Sequence, residues 1–374
     1  MLYFDNAASG GRKPDSVLSA VRSAMQVCAN PGRSGHKLAL SCANVVQSCR
    51  NALNEYFDGY GFDRAIFTKN CTEALNIALF GTLKKGDHVV ATCMEHNSVL
   101  RPLAALQAAG VITYDICPLD EQGNIHVKTL LSLVKENTRL VAITSASNVT
   151  GATPPIAQIR AQLPPRVLFL CDGAQGGGHL PLRMRELGID LLALAGHKGL
   201  MAIQGSGALL FSDRIDPTPL LFGGTGSLSP SLEMPDFYPD ALEAGTLSFP
   251  AVVSLLEGVR YISDHERQHR AHLLSLTAYF LGGLKAFPTY RTYSRPNACG
   301  IVAFQSRNRD SEEIAQILSD DYDIAVRGGL HCAPLMHDAL KTADGGLVRV
   351  SFSPFNSEKE VDELLFALER VEKS

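Results

Sequence analysis

No stretch of this chain is apolar for long enough to cross a bilayer. Its start, Met1-Leu2-Tyr3-Phe4-Asp5-Asn6, has neither a basic lead nor an apolar signal core. Charge of either sign is also scarce: the formal net charge is −4, which offers no electrostatic case for nucleic acid or an anionic membrane. The nine cysteines are odd in number and show neither CxxC nor a Cys/His metal spacing. That excludes a disulfide framework or metal site and places the chain in a reducing cytoplasm. No strand is followed by GxGxxG and no GxxxxGKS/T occurs, so neither a dinucleotide nor a P-loop site is expected. Internal repeats and low-complexity tracts are absent too. What remains is a soluble globular composition, 45% hydrophobic and 19% charged. Its 374 residues suit one large domain and a smaller one.

The stretch from Val167 to Lys198 organises the rest. Val167-Leu168-Phe169-Leu170-Cys171 is a short unbroken apolar run, as a strand buried on both faces requires, and it ends on Asp172-Gly173-Ala174-Gln175. A second run, Ile189 to Ala195, delivers Gly196-His197-Lys198. Aspartate and lysine are seldom fully buried without a partner. Two strands ending on them suggest a ligand that meets both charges. A cationic ring nitrogen for Asp172 and an aldehyde for Lys198 describe pyridoxal phosphate (PLP). Two solvated strand ends satisfy the same spacing.

Other strand ends add polar groups. Ala65-Ile66-Phe67-Thr68 precedes Lys69-Asn70-Cys71-Thr72-Glu73, which places Thr72 at a helix mouth, suited to an anion or to an ordinary N-cap. His88 to Ala91 leads to Glu95-His96-Asn97, and Leu140 to Thr144 leads to Ser147-Asn148-Val149-Thr150-Gly151. Helices are expected from Pro14 to about Cys28, Leu38 to Tyr56, Ser98 to Ala109 and Val127 to Glu136. Strands alternating with helices argue for a mostly parallel sheet with its ligand beyond the carboxyl ends. His36 lies in the turn-rich loop Asn30 to His36, facing either a ligand or solvent. After the strand Gly207 to Phe211 and the loop Phe222 to Ser227, a helix runs from Pro250 to about Leu284. Strands at Gly300–Phe304, Ile324–Val326 and Val348–Phe352, with helices at Ser311–Leu318 and Glu358–Val371, then form a small α+β unit.

With these residues in place the chain resembles the class V aminotransferase-fold PLP enzymes, and among them the cysteine desulfurases and selenocysteine lyases. The likeness runs from Tyr3-Phe4-Asp5-Asn6-Ala7-Ala8 to Arg349-Val350-Ser351-Phe352-Ser353. Its most specific pieces are Asn70 to Asn76, Asp172 to Gln175, Gly196-His197-Lys198 and Arg327-Gly328-Gly329-Leu330-His331-Cys332-Ala333-Pro334. The resemblance implies an α/β fold of PLP fold type I. Its large domain (14–260) would hold a mostly parallel seven-stranded sheet, and its small α+β domain would combine 261–374 with 1–13. Lys198 would carry PLP through a Schiff base and later shuttle the Cα proton. Asp172 would hold the ring nitrogen, Gln175 the ring hydroxyl, and His96 would stack on the ring. Asn148 and Cys71 would lie beside the cofactor, with Thr72 and His197 on its phosphate. Thr246 would reach the phosphate of a neighbouring subunit, which implies a homodimer with shared sites. Arg349 would fork onto the substrate carboxylate, near Asn148, Arg327 and His36.

Cys332 decides the reaction. A thiol that takes sulfur from L-cysteine leaves L-alanine and a persulfide, to be unloaded to a sulfur-acceptor protein. Ionising that thiol needs positive charge nearby, for which Arg327 and His331 are the candidates. The bland alternative is one more buried cysteine. Three departures from the family stand out: Ala195 in place of a hydroxyl residue, worth about 1 kcal/mol of phosphate hydrogen bonding, Gly199 to Gln204 where relatives have Gly-Pro, and Gly-Leu-His-Cys for Gly-His-His-Cys. Selenocysteine lyase, a C–S β-lyase, a transaminase and a non-catalytic sulfur-relay protein remain alternatives.

Overall fold

The apolar runs pair with one another at the centre of the molecule. The computed structural model describes residues 1–27, 29–32 and 34–373. In chain order its elements are β1 (Leu2–Tyr3), α1 (Asp15–Gln26), α2 (Lys37–Tyr56), β2 (Ala65–Thr68), α3 (Cys71–Thr82), β3 (Asp87–Thr92), α4 (Asn97–Ala108) and β4 (Ile112–Cys117). There follow α5 (Val127–Ser132), β5 (Thr138–Thr144), α6 (Ile156–Gln162), β6 (Leu168–Asp172), α7 (Met184–Leu187), β7 (Leu191–Ala195), β8 (Gly207–Phe211) and α8 (Phe249–Leu284). The chain closes with β9 (Tyr290–Thr292), β10 (Ile301–Ser306), α9 (Ser311–Tyr322), β11 (Ile324–Ala325), α10 (Pro334–Leu340), β12 (Val348–Ser351) and α11 (Glu358–Lys373).

Seven strands form one sheet in the order β2-β8-β7-β6-β5-β3-β4. Strands β3 to β7 pair in parallel, and β8 runs antiparallel to both β7 and β2. Only β8 is therefore reversed, and the carboxyl ends of β2, β3, β5, β6 and β7 emerge along one edge. Helices cover both faces, which is why β5 to β7 are apolar throughout rather than alternating. Val141, Phe169 and Leu192 join one apolar core, while Leu140, Leu168 and Leu191 join the other. Helix α8 is 36 residues long, about 54 Å at the usual helical rise. Its first half packs into the larger core, and Leu273 to Leu284 pack with Phe4, Phe304 and Phe352 in a third. That third core underlies the antiparallel sheet β12-β10-β9, and β1 pairs with β11, Leu2 against Ile324.

The structure departs from the sequence expectations where apolar signal is weak. Strand β4 lies at the sheet edge with Tyr114 and Asp115 half-buried, so it lacks an apolar run. Helices α6 and α10 have seven residues each, too short for a periodic stripe, although Pro334 occupies the first turn of α10 as helix starts favour. The helix expected to reach Glu136 stops at Ser132, because the Lys135 N–H turns to Thr138 Oγ1 at 2.7 Å. The helix expected to reach Cys28 ends at Gln26; Cys28 itself, and Arg33 in the following loop, lie outside the described residues. Among the described residues no helix is long and apolar enough to cross a membrane.

Candidate active site

Strand β6 carries Asp172 to the sheet edge, where it is 2% exposed. Its Oδ1 accepts from the Ala174 N–H at 2.9 Å and from the Cys71 thiol at 3.4 Å. Ser145, at the end of neighbouring β5, donates its N–H and its hydroxyl to the Asp172 carbonyl at 2.8 and 2.9 Å. Burial, reinforced by the adjacent carboxylate, pushes the Cys71 thiol well above its ordinary range, so it is a neutral donor here.

Strand β7 delivers Lys198 beside Asp172. The turn needs Gly196, where a Cβ would stand 2.1 Å from Ser206 Oγ. Burial holds the Lys198 ammonium below its ordinary range, against the attraction of Asp172. The His197 carbonyl is tied to the chain's beginning by the Gly10 N–H at 2.9 Å and Lys13 Nζ at 3.0 Å. Where relatives have Gly-Pro, Met201 takes a positive φ of 59° and the Ala202 N–H returns to the Gly196 carbonyl at 2.9 Å. The lysine loop is thus closed without proline.

Two helix mouths face this pair. Asn70 caps α3, accepting from the Glu73 N–H at 2.9 Å, so capping falls to Asn70 and Thr72 occupies the first turn. His96 caps α4, its Nδ1 accepting from the Ser98 N–H at 3.0 Å. From the third core, β12 brings in Arg349, a guanidinium only 1% exposed. It donates through Nη1 to the Asn148 carbonyl at 3.0 Å and through Nη2 to Asp5 Oδ1 at 2.7 Å. Its Nε and the Asn148 Oδ1 have no partner.

These groups enclose a cavity of about 220 Å³, lined by Cys71, Thr72, His96, Asn148, Asp172, Gln175, His197, Lys198, Arg327 and Arg349 among others. Ten of the expected site residues therefore meet in one place. His36 and Thr246 do not. His36 is exposed and caps α2, with Nδ1 accepting from the Ala39 N–H at 3.2 Å. Thr246 is exposed on a loop lining a separate depression with Phe67, Lys69 and Leu221. Ser98, Ala7 and Ala8 line the cavity without having been expected; Ser98 was legible only as a helix residue, and the two alanines carry no chemical signal.

Cys332 lies just beyond the lining. Of the eight described cysteines it alone is exposed. His331 and Cys332 take successive left-handed conformations, with φ of 52° and 57°. The large sheet's loops hold them there: Asn97 N–H donates to the Cys332 carbonyl at 2.8 Å and Asn148 Nδ2 to that of His331 at 2.6 Å. Arg327 Nη2 stands 3.9 Å from the thiol, as expected of a charge donor. The matching expectation for His331 is corrected. Burial drives its imidazole down to about 2, so it is neutral and contributes geometry, not charge. His197 is likewise held down, to about 4, by burial and by Lys198, and could meet an anion only as a neutral donor.

A buried aspartate, a lysine whose ammonium is disfavoured by burial, two polar helix mouths and unpartnered Asn148 and Arg349 atoms fit PLP and an amino acid together. Comparisons with known proteins agree. The family model described as aminotransferase class-V matches residues 2–364. A probable cysteine desulfurase of Methanothermobacter thermautotrophicus is 32% identical over 99% of this chain and 94% of its own. One from Aeropyrum pernix matches at 32% over 99% and 94%. Among solved structures, the apo cysteine desulfurase of Thermococcus onnurineus superposes with a TM-score of 0.90 at 28% identity, covering 100% of this chain and 94% of that one. An Escherichia coli cysteine desulfurase gives 0.87 at 27%, covering 98% and 94%. Both families depend on PLP in general. With its fold, its sheet-edge lysine and aspartate, and a match along nearly its whole length, this chain belongs to the class V aminotransferase family.

Proposed function

We propose that the protein is a PLP-dependent cysteine desulfurase that converts L-cysteine to L-alanine and leaves the sulfur on Cys332 as a persulfide. The observation that carries this is the exposed thiol of Cys332, fixed in left-handed backbone beside Arg327 and pinned to the rim of the Lys198–Asp172 cavity. PLP, when bound, supplies an electron sink for the substrate Cα. Lys198, its ammonium destabilised by burial, holds the cofactor's carbonyl and moves the Cα proton. Asp172 would hold the ring nitrogen, Gln175 and His96 would contact the ring, and Thr72 and His197 would hold the phosphate. Arg349 receives the substrate carboxylate through its unpartnered Nε–H, while the unpartnered Asn148 Oδ1 is an acceptor open to a donor on the cofactor or substrate. The Cys332 thiolate then bonds to the substrate sulfur as the Cβ–S bond breaks. The carbon skeleton takes up a proton at Cβ and leaves as alanine. One cysteine and one thiol give one alanine and one persulfide, with no external oxidant or reductant.

Several further assignments belong with it. Residues 14–260 and 261–374 with 1–13 form the two domains, supported by the separate apolar cores. A homodimer is supported by exposed Leu220 and Leu221, which line one depression with Thr246; Thr246 would reach across to the partner's site. The compartment is cytoplasmic and the persulfide passes to an acceptor protein. Selenocysteine lyase is the second assignment, favoured by the position of Cys332 outside the cavity lining. The test is mass spectrometry after incubation with L-cysteine. Alanine with a one-sulfur gain on the Cys332 peptide is expected, and Cys332→Ala retains PLP absorbance but loses at least about 100-fold in turnover on cysteine. Pyruvate in place of alanine, or unimpaired turnover of the variant, overturns it. Full turnover of the variant on selenocysteine alone supports the lyase.

A further inference from the structure

Ser98 occupies a position that none of the roles above uses. Its hydroxyl lies 2.8 Å from Thr72 Oγ1 and 2.9 Å from His96 Nδ1, bridging the mouths of α3 and α4. The hydrogens along this bridge can be placed. The Ser98 amide hydrogen is fixed by the planar backbone and points to His96 Nδ1 at 3.0 Å. Nδ1 must then be unprotonated, and a neutral imidazole carries its hydrogen on Nε2. The Ser98 hydroxyl can only donate to such an atom, so its single hydrogen is on Nδ1. The Thr72 hydroxyl in turn has to donate to Ser98. The order is Thr72 to Ser98 to His96.

An anion at the α3 mouth changes that order. The Thr72 hydroxyl has one hydrogen, and donating it to phosphate leaves Thr72 Oγ1 free to accept. We propose that Ser98 is a two-position hydroxyl switch reporting the occupancy of the Thr72 helix mouth to His96: with the mouth empty its hydrogen lies on His96 Nδ1, and with an anion there it lies on Thr72 Oγ1. This rests on the assignment of Thr72 to the cofactor phosphate. Its consequence follows from counting donors. Two donors on Nδ1 favour the unprotonated ring; withdrawing one makes His96 a better proton acceptor once the cofactor is seated. The other influences on His96 are burial, which holds its charged form down, Asp172, which opposes this, and Lys198, Arg327 and Arg349, which add to it.

The experiment is an imidazole titration by 15N NMR on the full-length protein, with His96 assigned by loss of its signal in His96→Gln. Samples are PLP-free, PLP-free with saturating inorganic phosphate, and PLP-loaded. The wild type should show Nε2–H, and phosphate should raise its midpoint by about 0.5 to 1 pH unit more than in Ser98→Ala. The anion's through-space charge is common to both proteins and cancels. Ser98→Thr restores the response. An equal response in wild type and Ser98→Ala overturns the switch. If Ser98→Ala does not fold, an Nδ1–H signal in the phosphate-free wild type overturns it instead. Borohydride trapping separates the two levels: failure to label Lys198 removes the cofactor assignment, whereas labelling with an equal response removes only the switch.

Discussion

Glu95 is a fully buried carboxyl with only one of its oxygens satisfied. It is 0% exposed, with Oε1 accepting from Thr92 Oγ1 at 2.6 Å and the Thr144 N–H at 3.0 Å, while Oε2 has no partner. Burial raises its carboxyl to about 8, opposed by those donors and assisted by Asp172. It is therefore neutral at neutral pH and anchors the turn before His96 to the end of β5. The linkage has a definite sign. The folded value lies above the unfolded one near 4.5, so the protonated form's stability is complete below pH 4.5 and is lost as pH rises through about 8. Urea denaturation should show the wild type losing on the order of 3 kcal/mol from this group between pH 5 and 8. Glu95→Gln, which cannot ionise, should flatten that slope, and an unchanged slope would show that the carboxyl stays charged. Cys332 differs from Glu95 in kind, since its backbone strain serves exposure of the thiol. Left-handed non-glycine residues cost about 1 kcal/mol or more each, a cost offset by the hydrogen bonds from Asn97 and Asn148.

Helix α8 shapes the lysine loop from beneath. A Cβ at Gly258 would stand 2.1 Å from the Leu200 carbonyl and 3.3 Å from the Ala202 N–H. The helix accepts a glycine in its first third, at about 1 kcal/mol in propensity, because backbone meets backbone there. Ser254 Oγ also accepts from the Ile203 N–H at 3.2 Å. This contact explains how the segment after Lys198 keeps its shape without the proline of its relatives. Gly258→Ala should push the helix and loop apart, lowering stability by about 1–3 kcal/mol and weakening PLP uptake, read from the denaturation midpoint and the visible absorbance. Unaltered PLP affinity in that variant would mean that the loop's shape comes from elsewhere. The α2 helix has a comparable anchor. Arg50 meets Glu243 through both nitrogens, at 2.9 and 2.6 Å, and Glu243 also receives the Phe67 N–H at 2.6 Å. That buried pair holds the chain immediately before Thr246.

At the scale of the molecule, an exposed apolar segment adjoins Thr246. Leu220 and Leu221 line one depression with Thr246, and Leu221 and Phe222 are exposed. A two-fold dimer would cover them. Sedimentation equilibrium should give twice the 40.3 kDa chain mass, and Leu221→Asp should shift the species toward monomer while lowering PLP retention. A monomeric, fully active wild type would end the shared-site proposal. Much of this was legible in the residues alone. Unbroken apolar runs such as Leu168 to Cys171 suit strands buried on both faces, and charged groups at their ends point to a ligand or to solvent. Lys198, Asp172 and the α/β rhythm followed from that local chemistry. Short or half-exposed elements such as β4 and α10 were missed because too few of their side chains are buried to leave a period. Charge state, partners and placement were settled only by the folded chain. His331 is neutral because of what surrounds it, Ser98 matters because two helix mouths converge, and His36 is a cap because its ring meets the Ala39 N–H. Periodicity and composition are properties of neighbours along the chain, whereas desolvation and hydrogen-bond partners depend on residues hundreds of positions apart, as when Arg349 meets Asp5 and Asn148.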